Sequence, residues 1–157
     1  MFAIRSHPST LAFQPWNPAS IDVVAAFIES QSDRTFDGDD WLQLAIVERE
    51  SGDFIGDLGI RALDDHAQVE LGITIAPDRR QKGYAREALH AIMDVLFRIR
   101  KIHRITAVAD RRNVASLAML ERSGMRREAV LRENSLFRDE FVDDVVFGIL
   151  RQEWLDM

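Results

Sequence analysis

Residues 69–86 read VELGITIAPDRRQKGYAR, an alternating half followed by a basic, glycine-containing turn. Its first half alternates as a strand does: Leu71, Ile73 and Ile75 point one way, Glu70, Gly72 and Thr74 the other, and Pro77 ends it. Residues 79–86 then gather Arg79, Arg80, Lys82 and Arg86 around Gly83 with no acid among them. The clearest helix of the chain follows. Ala85, Ala88, Leu89, Ile92, Met93, Leu96 and Phe97 recur at three- and four-residue steps, leaving Glu87, His90, Asp94 and Arg98 outside. The first N–H groups of a helix are unpaired and carry partial positive charge. Gly83 and the small Ala85 let an anion approach them closely. A phosphate or pyrophosphate is the natural partner of such a turn; a solvated basic turn in which Gly83 only eases entry into the helix accounts for the same residues.

Toward the N-terminus, Phe54 to Leu63 reads as a strand, entered through a Ser51-Gly52-Asp53 hairpin turn from a strand over Trp41 to Val47. Asp64 and Asp65 separate it from the strand at Val69 to Ile75. Ser20 caps a helix carrying Val24, Phe27 and Ile28 on one face. The opening fifteen residues show no clear period. Toward the C-terminus, an apolar strand covers Ile105 to Ala109, and a short helix runs from Val114 to Arg122 and stops at Gly124. Two further strands are predicted, Met125 to Leu131 and Phe141 to Leu150. This order predicts an α/β (α+β) fold in one domain, residues 1–157: a mixed, mostly antiparallel sheet flanked by helices.

Composition narrows the function. The chain has 157 residues, 46% hydrophobic and 29% charged, as in an ordinary packed domain. It has no cysteine, which excludes disulfides, thiolate catalysis and cysteine-bound metal. A cytoplasmic location is the simplest expectation. No apolar run is long enough for a bilayer, so no membrane partner is predicted. The net charge of −6 argues against a nucleic-acid partner. His7, His66, His90 and His103 have no metal-ligand spacing, so no metal is predicted. Arg98, Arg100, Lys101 and Arg104 complement the dipole at a helix end.

Arg80-x-x-Gly83-x-Ala85 resembles the Gln/Arg-x-x-Gly-x-Gly/Ala signature of the GNAT superfamily of N-acetyltransferases, set between strand and helix as that family has it. Asn113-x-x-Ser116-x-x-x-Leu120-Glu121-x-x-Gly124-Met125 is similar to the family's second element, with Met125 where Phe is commoner. The tail, Arg132-Glu133-Asn134 through Phe141-Val142-Asp143 to Trp154, resembles the branch containing the ribosomal-protein N-terminal acetyltransferases. The resemblance implies acetyl-CoA as co-substrate and an amine as acceptor. Backbone amides of Gln81, Lys82, Gly83, Tyr84, Ala85 and Arg86 would hold the CoA pyrophosphate beside Arg80. Ile73, Thr74 and Ile75 would pair with the pantetheine arm as an added strand does. Asn113 corresponds to the CoA-contacting asparagine, and is equally a good helix N-cap.

For the chemistry, a neutral amine must attack the thioester, which needs a proton acceptor and oxyanion stabilisation. A backbone N–H near Ile73 or Ile75 is the implied oxyanion donor. Glu70 is the candidate base, or else a salt-bridged surface carboxylate. The tyrosine that many family members carry as general acid is replaced here by Leu120, and the single tyrosine, Tyr84, lies in the phosphate turn. Ser116 and Ser123 are the nearby hydroxyls, and Ser116 could instead bond its own helix. Trp16, Phe36 and Trp41 fall where this branch lines its acceptor pocket, or serve the core. Asp37, Asp39 and Asp40 would favour a cationic acceptor, or solvate a loop. The family's usual first strand and helix are missing before Arg5-Ser6-His7-Pro8. Either the start is wrongly assigned or the acceptor side is built differently, with a homodimer partner as one source. Two other readings compete with transfer: a non-catalytic CoA-binding regulatory module, and a different nucleotide binder, which lacks the Walker lysine and the dinucleotide glycines.

Overall fold

The computed structural model describes all residues except 37, 39 and 64–66. Asp37, Asp39, Asp64, Asp65 and His66, named above, therefore lie outside the described residues. Three helices open the chain: α1 (Phe2–Arg5), α2 (Pro8–Leu11) and α3 (Ile21–Gln31). Pro8 at the start of α2 has no N–H to leave unpaired, and the His7 ring accepts from the Ser9 N–H. Ser20 caps α3 as expected, its hydroxyl accepting from the Val23 N–H. The two opening turns escape a periodicity reading because four residues are too few to show a period.

Three antiparallel strands follow: β1 (Leu42–Val47), β2 (Phe54–Ala62) and β3 (Gln68–Ile75). A 3₁₀ turn over Pro77–Arg79 leads into α4 (Tyr84–Asp94), which continues as a π turn over Val95–Ile99. Then come β4 (Arg104–Asp110), α5 (Val114–Arg122), β5 (Arg126–Phe137), β6 (Glu140–Leu150) and a short α6 (Arg151–Leu155). β5 runs well past the predicted Leu131. Its pairing with β6 shifts register between Leu131 and Ser135, and Glu133 has φ 49°, so the alternation breaks inside a continuing strand. The sheet order is β1-β2-β3-β4-β6-β5, with β3 and β4 the parallel pair.

One face of the sheet packs on α4 and α5. Leu71, Leu89, Met93, Phe97, Ile105, Leu120, Phe147 and Trp154 form this core, with Phe97 and Phe147 fully buried. Each such side chain contributes about 1.5–3 kcal/mol by leaving water. On the other face, Gly59 lies directly opposite Gly72, and Trp41 lies over them. A Cβ on Gly59 would come within 2.8 Å of Trp41 and Gln43, so the indole needs that notch. The Arg61 guanidinium stacks on the same indole, 5.1 Å from the ring centre.

Candidate acyl-donor site

The parallel pairing of β3 with β4 lasts three residues, Gln68↔Arg104, Val69↔Ile105 and Glu70↔Thr106. Beyond Glu70 the strands part, while β3 stays paired to β2 as far as Ile75. The edge of β3 that faced β4 is thereby left open to an extended ligand. A cleft of about 760 Å³ occupies this gap and continues to the start of α4. Its walls are Ser9–Thr10 and Ala12–Gln14 of the opening segment, Ile73–Ile75 of β3, the turn into α4, and Asn113, Ser116, Met119 and Arg122.

At the turn, Gly83 sits at φ 91° as the N-cap of α4 and supplies no side-chain cap. The first bond of the helix is Glu87 N–H to Gly83 O. The amides before it therefore point forward unpaired, as an anion site requires. The four cations divide in two. Arg79 bridges Glu48 (2.8 Å) and Asp53 (3.0 Å) of the β1–β2 turn. Arg80 donates to Ile75 O (3.0 Å), Ser9 Oγ (2.9 Å) and Thr10 Oγ1 (2.9 Å), tying α2 to the turn. Lys82 and Arg86 are exposed and have no acidic partner among the described residues. Tyr84 donates its hydroxyl to Glu48, and that bond, with those from Ser51 and Arg79, holds the Glu48 carboxyl below the usual carboxylate range.

The cleft brings together Ile73, Thr74, Ile75, Arg80, Gln81, Gly83, Tyr84, Ala85, Arg86, Asn113 and Ser116. Lys82 and Glu70 do not line it. Glu70 instead accepts from Arg61 at 2.5 Å, on the face of β3 away from α4. Asn113 caps α5, its Oδ1 accepting from Ser116 N–H at 3.2 Å. Ser123 is buried and donates to Met119 O, and Leu120 is turned into the core. Trp16, Phe36 and Trp41 do not line this cleft: Trp16 tilts against Phe27, Arg100 covers Phe36 and Arg61 covers Trp41. No group of three His, Cys, Asp or Glu able to hold a metal occurs among the described residues.

The wall built from residues 9–14 has no signal in the sequence reading. Thr74 and Gln14 meet across a separation of 60 residues, and Arg80 and Ser9 across 71. Only their shared polarity hints at it.

A sheet splayed between parallel strands over a glycine-opened helix start offers an open strand edge and unpaired amides to one extended, anionic ligand. The chain matches the Acetyltransferase (GNAT) domain over residues 1–126, and it belongs to that family of acyl-CoA-dependent acetyltransferases. The uncharacterized N-acetyltransferase YnaD of Bacillus subtilis is 29% identical over 74% of this chain and 69% of its own length. The uncharacterized N-acetyltransferase p20 of Bacillus licheniformis is 25% identical over 71% and 64%. The chain thus aligns with about two thirds of these curated relatives. Among solved structures, a GNAT-family acetyltransferase from Bacillus anthracis superposes with a TM-score of 0.85 at 21% identity, over 97% of this chain and 87% of that one. A chimera of the spermidine N-acetyltransferase SpeG from Vibrio cholerae with hSSAT gives 0.79 at 20% identity, over 99% and 91%. At these identities the likeness is one of fold.

Proposed function

We propose that the chain moves an acetyl group from acetyl-CoA to a primary amine by direct attack. The observation that carries this reading is the splay beyond Glu70, which opens onto the unpaired amides at Gly83. The pyrophosphate lies on the amides of residues 81–86, with Lys82 and Arg86 as the unengaged cations. The pantetheine arm pairs with Ile73–Ile75, its thioester toward the end of the splay, and Asn113 and Ser116 flank it. Holding donor and amine in one cleft supplies much of the catalysis by orientation alone.

The amine nitrogen attacks the carbonyl carbon, an oxyanion forms, and collapse breaks the carbon–sulfur bond. Glu70 remains the proposed acceptor of the amine proton, acting through water from its place beside the splay. Tyr84 is engaged at the phosphate end and Leu120 faces the core, so the Ser116 hydroxyl on the cleft wall is the proposed source of the thiol proton. The acceptor is a small amine, an antibiotic amine or a protein N-terminus. The β5–β6 hairpin, whose residues resemble the ribosomal-protein branch, supports a role in receiving it: Arg138 at its tip donates to Leu11 O at 3.0 Å, next to the cleft wall.

The test is release of free thiol from acetyl-CoA across spermidine, an aminoglycoside and dipeptides with free N-termini. Release with one class identifies the acceptor. Tight binding of acetyl-CoA with no release across such a panel favours the non-catalytic CoA-binding reading, to which the inward-facing Leu120 lends support.

A further inference from the structure

One connected set of polar side chains links the interior of the sheet to the cleft. It begins at Asp57 on β2, which is 1% exposed. Asp57 Oδ1 accepts from Arg5 Nη2 of α1, and Arg5 Nη1 donates to Gln14 Oε1 at 2.5 Å. Gln14 Nε2 donates to Thr74 Oγ1 at 2.7 Å, and the Thr74 hydroxyl lies 3.1 Å from Gln14 Oε1. Thr74 is the register partner of Asp57 across β2 and β3, so the set closes on itself.

A guanidinium only donates. Arg5 therefore compels Gln14 to turn its Oε1 inward, which fixes the amide against flipping. Nε2 is left toward Thr74 and the cleft, which both residues line. Thr74 takes one of its two hydrogens. The other meets no acceptor among the described residues. The result is a preset N–H donor beside the stretch of β3 where the thioester is placed.

The ion pair behind it is poorly explained by stability. Buried pairs lose in desolvation about what they gain in attraction. Here Asp57 Oδ2 and Arg5 Nε are both buried without partners, and burial raises the Asp57 carboxyl in spite of the neighbouring guanidinium. What the pair does provide is a fixed orientation for Gln14.

We infer that Gln14 donates a hydrogen bond from Nε2 to the thioester carbonyl oxygen of acetyl-CoA and to the oxyanion that replaces it, with Asp57 a positioning residue acting through Arg5. The inference rests on the reading of the cleft as the acetyl-CoA site. A donor fixed before the reaction stabilises developing charge without reorganising.

The direct test uses acetyl-CoA labelled with carbon-13 at the carbonyl and isotope-edited infrared difference spectra of the bound thioester. The wild type, Gln14→Leu, Gln14→Glu and Asp57→Asn are compared, each with its acetyl-CoA affinity and unfolding midpoint. In the wild type the carbonyl band lies below that of free acetyl-CoA. It returns toward the free value in Gln14→Leu and Gln14→Glu, and part of the way in Asp57→Asn, with affinity changed less than about threefold. With any amine that turns over, kcat of Gln14→Leu falls about 100-fold while KM for acetyl-CoA holds. A merely structural Gln14 would lower the midpoint or the affinity and leave the band in place. An unchanged band in a folded, acetyl-CoA-saturated Gln14→Leu overturns the inference. Failure of the wild type to bind acetyl-CoA overturns instead the reading on which it rests.

Discussion

The two walls of the cleft are built in opposite ways. The donor wall, residues 73–86, is one continuous stretch in which strand, turn and helix start follow each other. The facing wall, residues 9–14, is assembled from far apart. Arg80 reaches Ser9 and Thr10, Gln14 reaches Thr74, Arg5 reaches Asp57, and Arg138 reaches Leu11 across 127 residues. A turn with unpaired amides can thus be set by local backbone rules, while the wall facing it depends on the finished tertiary fold.

This contrast is most exposed at Asp57. Replacing it with Ala leaves the largely buried Arg5 guanidinium without its counter-charge, which should cost about 3–5 kcal/mol, read as the shift in a denaturant unfolding curve. A loss below about 1 kcal/mol would mean that the facing wall does not depend on this clamp. At the donor wall, Gly83→Ala meets no atom within 4 Å, so sterics with neighbours are absent and only the φ of 91° resists. The expected cost is about 1–2 kcal/mol, seen as a lowered midpoint. Asn113→Ala removes the cap of α5 and should cost about 1 kcal/mol, with a modest loss of CoA affinity by calorimetry.

The difference between the walls also explains what the sequence reveals. Gly83, Asn113 and the apolar face of α4 act within a few residues of themselves, so their spacing carries their role. The same holds for Ser20 and for the alternation of β3. Gln14 and Arg5 carry no such signal, because each acquires its role from a partner more than 50 residues away. Arg79 and Arg80 show what a local reading leaves out. A cluster of cations predicts phosphate ligands, yet both guanidiniums are engaged by Glu48, Asp53, Ser9 and Thr10. Glu70 is similar: a salt-bridged carboxylate is one of its two expected readings, but the partner, Arg61, is set by the β2–β3 register.

The smallest expected effect lies in acid. The folded Glu48 carboxyl titrates below its unfolded value, chiefly through the Tyr84 hydroxyl. Its contribution is therefore complete above the ordinary carboxylate range and is lost as pH falls through the depressed value. Glu48→Gln should lower the neutral plateau slightly and flatten the acid limb, meeting the wild-type curve at the acid end where the carboxyl is protonated. An unaltered acid limb would show that the β1–β2 turn does not brace the phosphate turn.

On the proposed reading, the amides opened by Gly83 hold the phosphates of acetyl-CoA. Calorimetric titration of acetyl-CoA into the wild type and into Gly83→Asp tests it most directly. The wild type should bind one acetyl-CoA per chain. Gly83→Asp, with a carboxylate and a strained backbone set against the phosphates, should bind at least about tenfold more weakly while remaining folded. Equal affinity in the two proteins, or no binding by the wild type, would contradict it.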